Sequence, residues 1–293
     1  MIASANVGPA GLPRNETWLL TGIPRSGSSL ACRLAGQLPD FVALSEPMAR
    51  AEFAGLTAPS EALATIKRFD RLTRRRIATQ RRARTIHVDG RLADNVVDAD
   101  AVDGLRRRQV VQAEIDIDKP LSEGFSLLIK HNALFAALLP QVVPSFRCIG
   151  LVRNPLAVLA SWQTVDLPIN RGRIPAGEQF DAGLRAALDH DADTLARQLT
   201  VINWFFARYG DELAVVRILR YEELVASGGK ALFAMLGHAN AKRVSLTSRN
   251  DHAVYRDTDI DRLLGALLDD RGAWTRFYSR TDCEALAERL APT

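Results

Sequence analysis

The sequence predicts a three-layer α/β sandwich, with a central parallel sheet flanked by helices. Three observations predict it: short continuous apolar runs of strand length, helical patterns between them, and a polar turn wherever run passes into pattern. Strands alternating with helices imply a parallel sheet, with ligands expected outside the carboxyl ends of the strands. At 293 residues and 47% hydrophobic, the chain can bury one sizeable core. One domain over 1–293 is expected, with excursions at 47–120 and 164–178.

The elements follow in order. Trp18-Leu19-Leu20 centres a strand at 18–22, and a helix at 28–38 follows a glycine-bearing turn. A strand at 41–44 and a short helix at 47–55 come next. Residues 60–83 contain neither glycine nor proline, so a long helix is predicted there. It is basic: residues 67–84 hold nine lysines and arginines against the single acid Asp70. Those charges read first as a solvated face and second as a landing patch for an anionic or bulky acceptor. No aromatic platform accompanies them, which argues against a nucleic-acid partner. In 109–118, Val111, Ala113, Ile115 and Ile117 alternate with polar residues, the pattern of an edge strand or hairpin. Strand 125–130, helix 132–139, strand 146–152 and helix 155–163 form the next units. Two prolines and two glycines in 167–177 mark a mobile loop. A helix at 178–209, a strand at 213–218 and a helix at 229–237 close the sheet region, and short helices fill the tail.

The turn after the first strand, Gly22-Ile23-Pro24-Arg25-Ser26-Gly27-Ser28-Ser29, carries the most chemistry. N–H groups at a helix start point outward, and the helix dipole favours an anion there. Gly22 and Gly27 allow close backbone approach, while Arg25, Ser28 and Ser29 add donors. The turn is P-loop-like: Gly22-x4-Gly27 fits the first half of the nucleotide-binding loop, but Ser28 stands where that loop has its lysine. A structural tight turn explains such a loop if it stands alone. It does not stand alone. Ile149-Gly150-Leu151-Val152-Arg153-Asn154-Pro155 is a second strand-to-helix turn, with Ser161 about two helical turns beyond Arg153.

Together these segments resemble the sulfotransferases that use 3′-phosphoadenosine 5′-phosphosulfate. Pro24, Arg25, Ser26, Gly27, Ser28 and Ser29 match the family's P-[KR]-S-G-[ST]-[ST] loop, which implies contact with the 5′-phosphosulfate. Arg153, Asn154, Pro155 and Ser161 match R-[ND]-P-x5-S, which implies that Arg153 and Ser161 hold the 3′-phosphate. Residues 216–224, with Phe233 and Leu236-Gly237, are similar to the family's YEDL…FLG segment, whose tyrosine flanks the adenine; the counterpart is Tyr221. Gly272-Ala273-Trp274-Thr275-Arg276 looks like the terminal G-x-W-[RK] element of many bacterial members, and brings Arg271 into the nucleotide-binding set. Trp274 itself reads more readily as a core aromatic.

The resemblance also implies a catalytic set. Tyrosylprotein sulfotransferases and some bacterial lipid and sugar sulfotransferases carry a catalytic glutamate after a similar loop, where Glu46 stands here. Without that resemblance, Glu46 reads as an acid at a helix N-terminus. Lys130 at a strand exit matches the family's active-site lysine, in a chain with only five lysines; a snorkelling surface lysine is the bland alternative. His131 is the reserve base, although members with a histidine base place it two residues after the lysine rather than one. The implied reaction moves a sulfuryl group from the 3′-phosphoadenosine 5′-phosphosulfate (PAPS) donor to a hydroxyl or amine of a small-molecule, glycan or lipid acceptor. Adenosine 3′,5′-bisphosphate (PAP) is the co-product, and no metal is needed because the protein clamps the leaving phosphate. Arg25 and Lys130 steady the charge that develops. Two rivals stay open: a P-loop-type small-molecule kinase, which needs a magnesium-binding acid, and a non-catalytic nucleotide-binding relative. Cys32, Cys148 and Cys283 are odd in number and widely spaced, which argues against a disulfide framework. No apolar run reaches the ~20 residues of a membrane helix, and the first residues lack a secretory pattern; a cytoplasmic setting is expected.

Overall fold

A computed structural model of the chain describes residues 15–99, 101–250 and 252–291. Its strands are β1 (Thr17–Gly22), β2 (Phe41–Ser45), β3 (Arg82–His87), β4 (Val111–Asp116), β5 (Ser126–Lys130), β6 (Arg147–Val152) and β7 (Val216–Arg220). Five of them form one parallel sheet in the order β2-β5-β1-β6-β7, while β3 and β4 pair as a separate antiparallel hairpin. The chain steps outward from β1 to β2, returns to β5, then crosses β1 to reach β6 and β7. That reversal makes the end of β1 a topological switch point, where α/β sheets open a ligand crevice.

The first helices are α1 (Ser28–Gly36), α2 (Pro59–Gln80), α3 (Asn132–Ala137), α4 (Leu139–Val142), α5 (Pro155–Gln163) and α6 (Pro175–Glu178). They are followed by α7 (Ala182–His190), α8 (Thr194–Asp211), α9 (Tyr221–Ala226), α10 (Lys230–Met235), α11 (Ile260–Asp270) and α12 (Arg280–Leu290). The two-residue period of the strands sorts their side chains into two cores. Leu19, Val42, Leu127, Ile129 and Cys148 pack with Phe135, Trp162 and Phe205 from α3, α5 and α8. Trp18, Leu20, Phe41, Leu128 and Ile149 pack with Leu34 and Phe233 from α1 and α10. Each aliphatic side chain so buried contributes roughly 1.5–3 kcal/mol. The three layers follow from that sorting.

The structure departs from the sequence expectation at four places. The basic helix stops at Gln80 because Arg81 turns left-handed at φ 56, and Arg82 opens β3. Two of its six basic side chains, Arg74 and Arg76, tie it to the rest of the fold. Arg74 donates to Thr17 Oγ1 (2.7 Å), the Glu16 carbonyl (2.7 Å) and the Phe125 carbonyl (2.8 Å), tying α2 to the starts of β1 and β5. Arg76 pairs with Glu114 of β4, and Arg82, already in β3, pairs with Asp116 at 3.2 Å. The helix expected over 178–209 is broken at 191–193, where Asp193 caps α8 by accepting from the Ala196 N–H (2.8 Å). Residues 167–177 do not form an open loop. They fold into a helical turn at Pro168–Arg171 and then α6, pinned where Gln198 Nε2 donates to the Asn170 carbonyl (2.9 Å). Finally, Tyr221 opens a helix, α9, that the sequence did not suggest. All three cysteines are free and buried, and no helix among the described residues is long and apolar enough to cross a membrane.

Candidate functional site

Every strand of the main sheet ends on one edge, and each has a charged or aromatic residue at its end or within three residues beyond it. Register fixes how these exits line up: Leu20 and Ser45 both pair with Lys130, Gly22 with Leu151, and Val152 with Arg220. Arg25, Glu46, Lys130, Arg153 and Tyr221 therefore border one cleft of about 850 Å³, a size typical of small-molecule sites. Its wall carries nine basic side chains and two carboxylates.

The loop from β1 to α1 holds two left-handed residues, Arg25 at φ 72 and Gly27 at φ 92. For arginine that conformation costs about 1–3 kcal/mol and persists only where the surroundings impose it. Trp162 Nε1 donates to the Pro24 carbonyl (2.9 Å), and Arg153 Nη1 donates to the Arg25 carbonyl (2.9 Å). Gly27 is needed for a second reason, since a Cβ there would stand 2.6 Å from the Tyr221 ring. Pro24, Ser28 and Ser29 reach the cleft wall. Ser26 does not; its buried Oγ has no hydrogen-bond partner among the described residues, an orphan polar atom inside the loop.

Arg153 is buried and fully directed. Its Nε donates to Asn250 Oδ1 (2.7 Å), its Nη2 to the Arg249 carbonyl (2.6 Å), and its guanidinium lies 4.7 Å from the Tyr221 ring centroid. Arg25 Nη1 donates to Asn95 Oδ1 (2.7 Å) and its Nε to Ser161 Oγ (3.2 Å). Burial, then repulsion from Arg106, pushes the Arg25 guanidinium down to about 10, still charged at neutral pH. Ser161 is buried behind the wall and acts on Arg25 rather than facing the cleft. Tyr221 Oη accepts from the Arg249 N–H (2.9 Å), so the strap around Arg249 and Asn250 is tied to both.

Glu46 is a third left-handed residue, at φ 45. Its N–H donates to the Lys130 carbonyl (2.7 Å) and its carbonyl accepts from Gln112 Nε2 (2.7 Å), so β4 and β5 together hold the turn. Lys130 Nζ, almost wholly buried, donates to Glu46 Oε1 at 2.7 Å. Burial alone would raise the Glu46 carboxyl; the Lys130 ammonium, then His131, outweigh it and hold the group at about 2. The side chain is 34% exposed and lines the cleft, with Oε1 taken up by Lys130. His131 is occupied differently. Its Nε2 accepts from the Met48 N–H (3.2 Å), and burial lowers the ring to about 4, so it is neutral and committed to backbone.

Arg271 is not brought to this site. It ends α11 in a left-handed conformation at φ 45, exposed beside a separate shallow depression with Trp274, which is a core residue. The position follows from α11 packing on α5 and α12, away from the strand exits. Sequence reasoning missed Asn95, Arg106, Arg249, Asn250 and Tyr255. Arg106 and Tyr255 sit close enough to Arg25 to act on it electrostatically. None lies in a local motif; Asn95, for example, meets Arg25 across 70 residues of chain.

No protein-family model matches the chain, and no curated protein matches it. Among solved structures, the crystal structure of sulfotransferase STF1 from Mycobacterium tuberculosis H37Rv aligns with 96% of this chain and 78% of that chain. The identity is 14% and the TM-score 0.38. So loose a superposition transfers neither fold nor activity from one chain to the other.

Proposed function

We propose that the chain is a sulfotransferase that moves a sulfuryl group from PAPS to an acceptor hydroxyl. One observation carries this reading. Arg25 and Arg153, from two separate strand-to-helix turns, border one cleft with the Lys130–Glu46 pair, and neither arginine has a carboxylate partner among the described residues. A doubly phosphorylated nucleotide requires two such separate anion grips. The residues fit it: the 22–29 loop offers helix-start N–H groups, Ser28 and Ser29 to the 5′ end. Arg153 meets the 3′-phosphate, and Ser161 positions Arg25.

In this reading Glu46 takes the acceptor proton. A carboxylate held at about 2 is a weak base, and the Lys130 ammonium is what weakens it. As Lys130 turns its charge toward the transferring sulfuryl group, Glu46 gains basicity at the point where the proton is released. Arg25 and Lys130 then oppose the charge that builds on sulfate and leaving phosphate. Transfer of the proton to a positioned base is worth about 10²–10⁴ in rate.

Calorimetric titration with adenosine 3′,5′-bisphosphate, without metal, tests the donor assignment. The bisphosphate is expected to bind at least tenfold more tightly than ADP, because ADP lacks the 3′-phosphate. Arg153→Ala should lose about tenfold or more, the worth of a charge-assisted hydrogen bond of roughly 1.5–3 kcal/mol. Unchanged affinity in Arg153→Ala contradicts the clamp. Turnover of ATP with magnesium, but not of PAPS, contradicts the reaction.

A further inference from the structure

The geometry points to an acceptor that is itself an anion: a compact, largely apolar alcohol or phenol whose acidic group is met by Arg50 and Arg108. This rests on the donor reading above and adds the substrate class. Of the nine basic side chains on the cleft wall, three have carboxylate partners: Lys130 with Glu46 (2.7 Å), Arg33 with Asp94 (3.7 Å) and Arg173 with Glu178 and Asp189. The other six have none among the described residues. Four of these, Arg25, Arg106, Arg153 and Arg249, form one group. Arg153 donates to the carbonyls of both Arg25 and Arg249, and the charges of Arg106, Arg153 and Arg249 all act on Arg25. A donor with a 3′-phosphate, about two charges, and a doubly charged 5′-phosphosulfate matches that group.

Arg50 and Arg108 are left over, and they stand by the base instead. Arg108 is near enough to help hold Glu46 ionised. Arg50 starts the helical turn Arg50–Phe53 on the same wall, four residues after Glu46. Both side chains are exposed and make no hydrogen bond or salt bridge among the described residues. The same cleft wall carries an apolar set, Met48, Phe53, Leu134, Ile169, Ile174 and Pro175. A neutral apolar acceptor would be served by those walls alone. Two guanidinium groups on that wall, with no carboxylate partner among the described residues, focus a positive field on whatever enters and suit a carboxylate, sulfonate or phosphate.

The probes are 6-hydroxy-2-naphthoate and 2-naphthol, which share ring and hydroxyl and differ by one carboxylate. Their binding is measured by fluorescence to protein saturated with adenosine 3′,5′-bisphosphate. The naphthoate is expected to bind at least tenfold more tightly than the naphthol, and the Arg50→Ala/Arg108→Ala double variant should erase that preference. Bisphosphate affinity and the melting temperature should be unchanged, since both side chains are exposed. Equal binding of the two probes overturns the proposal, as does a preference that survives in the double variant. A double variant that instead loses bisphosphate affinity assigns these arginines to the donor and also overturns it. Failure of the unaltered protein to bind the bisphosphate strikes the donor reading itself, and the acceptor assignment falls with it.

Discussion

At Glu46, burial and a neighbouring ammonium oppose one another, and the ammonium wins: the group is held at about 2 although desolvation pushes it upward. If Glu46 is the base, kcat/KM measured against pH should show no carboxylate limb near the ordinary value of about 4.3; activity should persist until the protein itself fails in acid. Glu46→Gln should lower kcat by about 10²–10⁴ with bisphosphate affinity retained, and near-normal turnover would remove Glu46 from the role. His131 makes a different prediction. Its folded value of about 4 lies below the unfolded 6.5, so the unfolded chain takes the proton first and stability falls as pH drops from 6.5 through 4. Glu46 acts in the same direction lower down, its contribution present above about 4.3 and lost as pH falls toward 2. Urea midpoints at pH 7, 5.5 and 4.5 should therefore decline. His131→Gln, which keeps an acceptor for the Met48 N–H but cannot charge, should flatten that decline; an equally steep decline would show that other groups cause it.

The helix α2 shows how a charge run misleads at the level of an element. Arg74 is a brace, with bonds to Thr17, the Glu16 and Phe125 carbonyls, and Asp70 at 3.2 Å. Arg74→Ala leaves several half-buried polar groups unpaired and should destabilise the fold by about 2–4 kcal/mol, read from denaturant unfolding; Arg75→Ala, on the exposed side, should change it little. Elements whose signal is apolar were legible in advance. β1, β2, β5 and β6 appear as continuous apolar runs because helices cover both sheet faces. β3 was hidden because the arginines of 81–84 continue the basic composition of α2, and only the left-handed turn at Arg81 separates them. The break at 191–193 was hidden for a related reason: Leu184, Leu188 and Leu195 keep a helical spacing straight through it. A cap changes the backbone without disturbing the apolar stripe.

Across the whole molecule, a reversal of strand order at β1 gathers strand-exit residues that are up to 196 positions apart in sequence, from Arg25 to Tyr221. The strand-exit residues were legible because strand, turn and helix are local patterns, and parallel strands must end together. The walls supplied by Asn95, Arg106, Arg249 and Tyr255 were not, because their side chains arrive from excursions with no periodicity of their own. Arg271 was misplaced for the converse reason, as a local likeness that the packing of α11 carries elsewhere. A crystal structure with adenosine 3′,5′-bisphosphate tests the central claim most directly. The account predicts the 5′-phosphate on the 22–29 loop and the 3′-phosphate within hydrogen-bond distance of Arg153. A nucleotide bound outside the cleft, or one whose phosphates touch neither Arg25 nor Arg153, would contradict it.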